Sequence, residues 1–215
     1  MEDEETERLL VEEEEERVWG NQVKRPRPPG FPHVGERRVP LPNNSLDEEE
    51  EGVLVDGEDR VIGHAPRSEM RARNLLHRGT AVAVRNSAGD IYVHRRTRTK
   101  DIFPGLYDMF VGGLVVYGES YDDCARREVA EELGIVGPTP VPLFKHLYPG
   151  PENRCWTAIY EVTWDGPIVH QETEIEWGAF LSLAELEQRL DEWSFVPDGE
   201  EIYRRYAAGP PFSCP

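Results

Sequence analysis

The sequence predicts an α/β domain over residues 52–207, a mixed β-sheet sandwiched between helices. Three observations carry this. Short β-branched runs separated by turn residues alternate with a few amphipathic stretches, which implies sheet and helix around one core. Residues 113–135, GLVVYGESYDDCARREVAEELGI, place Ala125, Val129 and Leu133 at four-residue steps, an apolar helical stripe. Composition changes sharply near residue 51, separating a charged tail from the domain.

Residues 1–51 hold 16 acidic and 7 basic residues, so this quarter carries half of the net charge of −18. Acidic runs at 12–16 and 47–51 flank a segment rich in proline and arginine. Such a composition buries little apolar surface, and a disordered tail is expected. Leu9, Leu10, Val11, Val18 and Trp19 offer a short helix that could dock on the domain or on a protein partner; a solvated tail is the simpler reading. Residues 208–215 read as a short C-terminal tail.

Along the domain, residues 53–55 and 60–62 form a hairpin around Asp56-Gly57-Glu58-Asp59. Pro66 and Ser68 open a short helix that runs to Leu75 or Leu76. Residues 80–84 and 91–94 are strands around a turn at 86–90, and 97–106 are loop. A strand over 109–116 leads into the helix that ends at Gly134, a natural C′ residue. Further strands are expected over 141–147, 156–163 and 174–181. Ser182-Leu183-Ala184-Glu185 is a capping box that starts a helix carried by Leu183, Leu186 and Leu190, and a last helix covers 200–206.

The acidity argues against duplex nucleic acid as a partner, because that binding relies on lysine and arginine at phosphates. No apolar run approaches membrane-spanning length, and the N-terminus lacks a signal segment. Cys124, Cys155 and Cys214 are scattered without a C-x-x-C pair, so a reducing, cytoplasmic setting is expected.

The chemistry concentrates in one register: Gly113, five residues, Glu119, seven residues, then Arg127-Glu128-Val129-Ala130-Glu131-Glu132-Leu133-Gly134-Ile135. On a helix, Glu128 and Glu132 stand one turn apart with Glu131 beside them. Like charges at these steps cost a few tenths of a kcal/mol each, roughly. A hard divalent cation offsets that repulsion, and Mg²⁺ takes oxygen ligands of this kind. Arg127 can pair with a carboxylate such as Glu119 and so hold the glutamates in one rotamer. Gly113 and Gly118 let the loop fold back tightly, so a backbone carbonyl can join the metal shell. The bland alternative is a solvated acidic face, which would suffice for an isolated E-x-x-E-E but not for the whole register.

This register resembles the signature of the Nudix hydrolases, with every specified position filled. Pro66-Arg67, Met70-Arg71, His77-Arg78, His94-Arg95-Arg96-Thr97 and Pro104-Gly105-Leu106-Tyr107-Asp108 are similar to the branch related to isopentenyl-diphosphate isomerase, and the resemblance spans residues 52–205. It implies the α/β/α Nudix fold and Mg²⁺- or Mn²⁺-dependent attack of water on a nucleoside-diphosphate-linked or similar small-molecule pyrophosphate. Glu128, Glu132 and Glu131 are then the metal ligands, with Gly113. Arg127 supports them, and the general base is a helix glutamate such as Glu131 or a downstream acid.

Glu172, Glu174 and Glu176 share one face of a strand by their spacing, either as the source of that base, with Glu174 taken, or as an exposed edge. Arg95, Arg96, Arg98 and Lys100 form a cationic cluster that can grip phosphates, or a set of exposed strand-end charges. Tyr107, Tyr117, Tyr148 and Trp156 are candidates for base stacking or for core packing. A homodimer is compatible with all of this.

Two other readings compete. The isomerases carry a catalytic cysteine, a glycine and a metal-binding histidine where this chain has Gly112-Gly113-Leu114. His77 matches another of their metal histidines, but its expected partner is Met70. Alkene isomerisation needs an acid and a base across the double bond, and that pair is missing. A non-catalytic Nudix module would be expected to have lost motif glutamates, and all are present.

Overall fold

The longest buried apolar run, in β3 (His77–Arg85), determines the architecture of the domain. In the computed structural model, which describes residues 49–209, this strand is covered on both faces. Residues 1–48 of the acidic tail, with its proposed helix around Leu9 to Trp19, and the C-terminal residues after 209 lie outside the described residues. Alternation along β3 sends Ala81 and Ala83 to one core and Val82 and Val84 to the other. A strand buried on both faces needs a layer on each side.

The sheet has eight strands among the described residues. β1 (Glu51–Val55) and β2 (Val61–Pro66) form the first hairpin. β3 pairs in parallel with β7 (Arg154–Thr163), from His77 opposite Cys155 to Arg85 opposite Thr163. β6 (Val141–Pro149) lies antiparallel on the outer side of β7. β4 (Ile91–Arg96) carries β5 (Tyr107–Asp108) and β8 (Ile175–Leu181), both antiparallel to it.

Four helices complete the described chain: α1 (Arg67–Arg73), α2 (Tyr121–Leu133), α3 (Leu183–Glu192) and α4 (Pro197–Ala207). Ala125, Val129 and Leu133 of α2 pack with Val82 and Val84. Leu186 of α3 and Ile202 and Tyr203 of α4 pack with Ala81 and Ala83 on the opposite face. The α/β/α sandwich follows from this division.

Several expected elements end differently. Helix α1 stops at Arg73 because Asn74 adopts a left-handed conformation at φ 47°. Helix α4 begins at Pro197, whose missing N–H costs nothing in the first turn. The continuous strand expected over 109–116 is not formed. That segment bridges β3 at Val111 and Leu114 in one antiparallel register, but the ladder is broken between them. There the Gly112 backbone comes so close that a Cβ would sit 2.1 Å from the Thr80 carbonyl oxygen. The chain approaches β3 as bare backbone, and the hydrogen bonds resume with Thr80 N–H donating to Gly113 O at 2.9 Å.

At its N-terminal edge the structured chain reaches back before residue 52. Arg67 N–H donates to Glu50 O at 2.9 Å, and Ser68 N–H donates to the Glu49 carboxylate at 2.5 Å.

Candidate active site

Helix α2 is anchored at both ends. Ser120 accepts from Asp123 N–H at 3.1 Å, and Gly134 closes the last turn at φ 67°. Between these caps the buried face carries Glu128 and Glu132 beside Ala125, Val129 and Leu133. The two carboxylates are 7% and 8% exposed, unusual for glutamate. Burial pushes the Glu128 carboxyl up to about 7, against the pull of Arg127. Burial, then the charges of Glu128 and Glu174, raise Glu132 well above the ordinary carboxylate range. Glu131 is more exposed.

Arg127 organises the group. Its Nε donates to Glu119 Oε1 at 2.9 Å and its Nη2 to Glu119 Oε2 at 3.1 Å. Nη1 donates to Glu128 at 2.7 Å and to Glu131 at 3.1 Å, and Nη2 also reaches Leu114 O at 3.2 Å. The second Glu119 oxygen accepts from Val116 N–H at 3.1 Å. One guanidinium therefore ties the loop after Gly113 to the helix. Gly113 lies directly against Glu128; a Cβ there would be 2.3 Å from Oε1.

These glutamates form one wall of a cavity of about 260 Å³. Arg96 and Lys100 line the same cavity, and their charges act on Glu132. Arg96 donates to the carbonyls of Phe103 and Ile102 at 3.2 and 3.1 Å, which fastens the loop that carries Lys100. Lys100 is ion-paired with Glu174, another lining residue.

Other expected residues lie elsewhere. Arg95 is outside the cavity, held by Glu176 at 3.2 Å and by Gly105 O at 3.1 Å, with Tyr107 beneath it. Arg98 is exposed. Glu172, Glu174 and Glu176 do not share a strand face, because β8 begins only at Ile175; Glu172 and Glu176 are exposed and only Glu174 reaches the cavity. Tyr107 stacks on Trp193 with ring centroids 4.1 Å apart, and the cavity's aromatic lining is Phe103 and Phe110.

Arg67 and Arg71, absent from the sequence-based site, line the cavity and share Asp101 at 3.2 and 3.3 Å. Their four-residue spacing on a short helix was the available signal. His77 also lines the cavity; burial lowers its pKa to about 4, and Nδ1 meets Leu75 O at 2.8 Å. Cys124 is fully buried, 3.3 Å from Thr80 Oγ1, and burial drives its thiol pKa upward.

The donor set on α2 is carboxylate oxygen throughout, which suits a hard divalent cation. The close contact of Glu128 with Gly113 is a cradle that any Cβ would destroy. As the side chains stand, no three His, Cys, Asp or Glu groups among the described residues converge at metal-ligand spacing. Glu128 and Glu131 instead each turn an oxygen to Arg127.

A layered α/β/α domain whose cavity is lined by buried helix glutamates and cationic side chains suits chemistry on acid anhydrides of phosphate. The chain belongs to the Nudix hydrolase family, whose domain model matches residues 75–206. A protein of Streptomyces coelicolor described as an uncharacterised Nudix hydrolase is 52% identical over 157 residues, covering 72% of this chain and 87% of its own. The Nudix hydrolase YfcD of Escherichia coli, also described as uncharacterised, is 41% identical over 148 residues, 67% of this chain and 79% of its own. A crystal structure of a Deinococcus radiodurans protein is similar with a TM-score of 0.64 at 28% identity, covering 73% of this chain and 98% of that one. Hydrolases of this family generally use divalent metal ions.

Proposed function

We propose that this enzyme hydrolyses a pyrophosphate linkage in a nucleoside-diphosphate-linked or similar small molecule, with Mg²⁺ or Mn²⁺ as cofactor. The observation that carries the reading is the cavity itself, which is lined by buried Glu128 and Glu132 together with Arg96 and Lys100. Phosphoryl transfer depends mostly on positioning and charge neutralisation, and this arrangement supplies both.

Glu128, Glu132 and Glu131 would hold the cation. Gly113 O accepts from Thr80 N–H at 2.9 Å and meets only the weak Cys124 thiol donor besides, at 3.8 Å, so it would be the backbone ligand. A bound divalent ion polarises the diphosphate oxygens and lowers the pKa of coordinated water. Arg127 keeps Glu128 in place through the Glu119 contact. Arg96 and Lys100 receive the phosphate charge. A phosphate that takes Lys100 releases Glu174 from its ion pair, leaving a carboxylate at the cavity to accept a proton.

Buried free thiols at Cys124 and Cys155 accord with a reducing, cytoplasmic setting, and no helix of the described residues is long and apolar enough to cross a membrane. Alkene isomerisation is not favoured, because Gly112 and Leu114 offer neither acid nor base and the Cys124 thiol is sequestered. Incubation with isopentenyl diphosphate and Mg²⁺ is expected to give no dimethylallyl product.

The deciding experiment is a screen of nucleoside diphosphates linked to sugars, nucleosides or coenzyme A, with Mg²⁺ and Mn²⁺ in parallel. Release of a nucleoside monophosphate or phosphate supports the reading. Binding without turnover across the panel would make the chain a non-catalytic module.

A further inference from the structure

The cavity has a polar wall that hydrolysis at the glutamates does not use. His94 on β4 and Asp108 on β5 are cross-strand partners, so their side chains leave the sheet on one face. Both line the cavity, at 2% and 9% exposure. His94 Nδ1 is buried without a hydrogen-bond partner among the described residues. Asp108 Oδ1 accepts from Phe110 N–H at 3.0 Å and lies against Gly199, where a Cβ would be 2.7 Å away. The neighbouring Asp198 lines the same cavity, its Oδ2 accepting from Asn153 at 2.9 Å.

A buried polar atom without a partner, as His94 Nδ1 is here, carries a desolvation cost that a suitable ligand removes. Three ligand classes can be compared. Another phosphate would meet two carboxylates. An organic cation would meet Arg96, whose charge acts on His94, Asp108 and Asp198 alike. A neutral group with several O–H donors satisfies the carboxylates and also the imidazole, which burial keeps neutral with a pKa of about 3.

We infer that His94, Asp108 and Asp198 form a hydroxyl-recognising subsite that takes the sugar or polyol joined to the diphosphate. The inference rests on the pyrophosphate reading for the identity of the ligand but not for the existence of the subsite. A site built to hydrogen-bond hydroxyls discriminates strongly against an analogue that lacks them, because its own polar groups are then left unpaired.

Calorimetric titration of the full chain with ribose 5-phosphate and with n-pentyl phosphate compares one phosphomonoester with and without hydroxyls. Ribose 5-phosphate is expected to bind at least about tenfold more tightly, and D198N and D108N should each reduce that preference to about twofold or less. Asp108 is buried, so thermal melting accompanies its variant; the more accessible D198N decides the matter if D108N fails to fold. Equal affinity for the two phosphates, no measurable ribose 5-phosphate binding, or a preference that survives D198N would overturn the subsite. If the preference holds but ADP-ribose with Mg²⁺ yields no AMP, the subsite stands and support for the hydrolytic reading is what weakens.

Discussion

Arg127 grips Glu119 at two points, Nε to Oε1 at 2.9 Å and Nη2 to Oε2 at 3.1 Å, while its Nη1 donates to Glu128 at 2.7 Å. A planar fork makes all three contacts at once, and an ammonium group does not. R127K is therefore expected to lower hydrolysis by about 10–100-fold, the usual cost of losing a group that orients a ligand. Circular dichroism should remain unchanged. Near-normal turnover of R127K would show that the fork does not position Glu128.

Glu128→Gln and Glu132→Gln each keep side-chain size while removing the charge that would hold a cation. Hydrolysis should fall by more than the roughly 10–100-fold typical of an outer partner. The fold should persist, because glutamine keeps the side-chain volume at both positions and can still accept from Arg127 at position 128. Retained activity in both variants would place the metal site elsewhere.

The two adjacent glycines should separate stability from activity. In G113A the new methyl displaces the Glu128 carboxylate, a movable side-chain end. Loss of activity comparable with E128Q and a small change in melting temperature are expected. In G112A the methyl meets the Thr80 backbone carbonyl, and destabilisation of about 1–3 kcal/mol or more should appear in denaturant unfolding. Equal effects of both substitutions on stability would contradict this division.

A chain starting at Glu49 should be more stable than one starting at Gly52. The shorter chain loses the bonds of Glu49 and Glu50 to α1 and that of Tyr117 N–H to Glu51 O at 2.7 Å. A melting temperature lower by about 2–4 °C per kcal/mol lost is expected. Identical melting would mean that these bonds contribute nothing net.

Asp108 gives a pH dependence of definite sign. Burial first, then the Asp198 charge, raise its carboxyl from the ordinary 3.8 to about 7. On raising the pH the unfolded chain loses this proton before the folded one does, so ionisation favours unfolding. The stabilisation is complete below about pH 3.8 and lost as pH rises through about 7. Wild-type stability measured relative to D108N should decline across that interval and level off above it. A difference independent of pH would show that Asp108 titrates normally.

The register from Gly113 to Ile135 specified by itself the helix, its glycine terminus and the paired glutamates, because all of these follow from spacing along one element. The capping box at Ser182 and Glu185 was equally local, and both of its hydrogen bonds are made. The cationic side was less legible. Arg95 and Arg96 are adjacent in sequence, yet strand alternation sends them to opposite faces, and only Arg96 reaches the cavity. Arg67, Arg71, Phe103 and Asp198 joined the lining only through long-range packing of α1, the 97–106 loop and α4. The strand expected over 109–116 failed for a similar reason: the closeness of Gly112 to Thr80 is a contact between distant segments, which local propensity does not encode. Sequence determined which groups carry the chemistry on one helix; the tertiary structure decided which charges share a cavity with them, because burial and a common lining exist only once separate elements are packed.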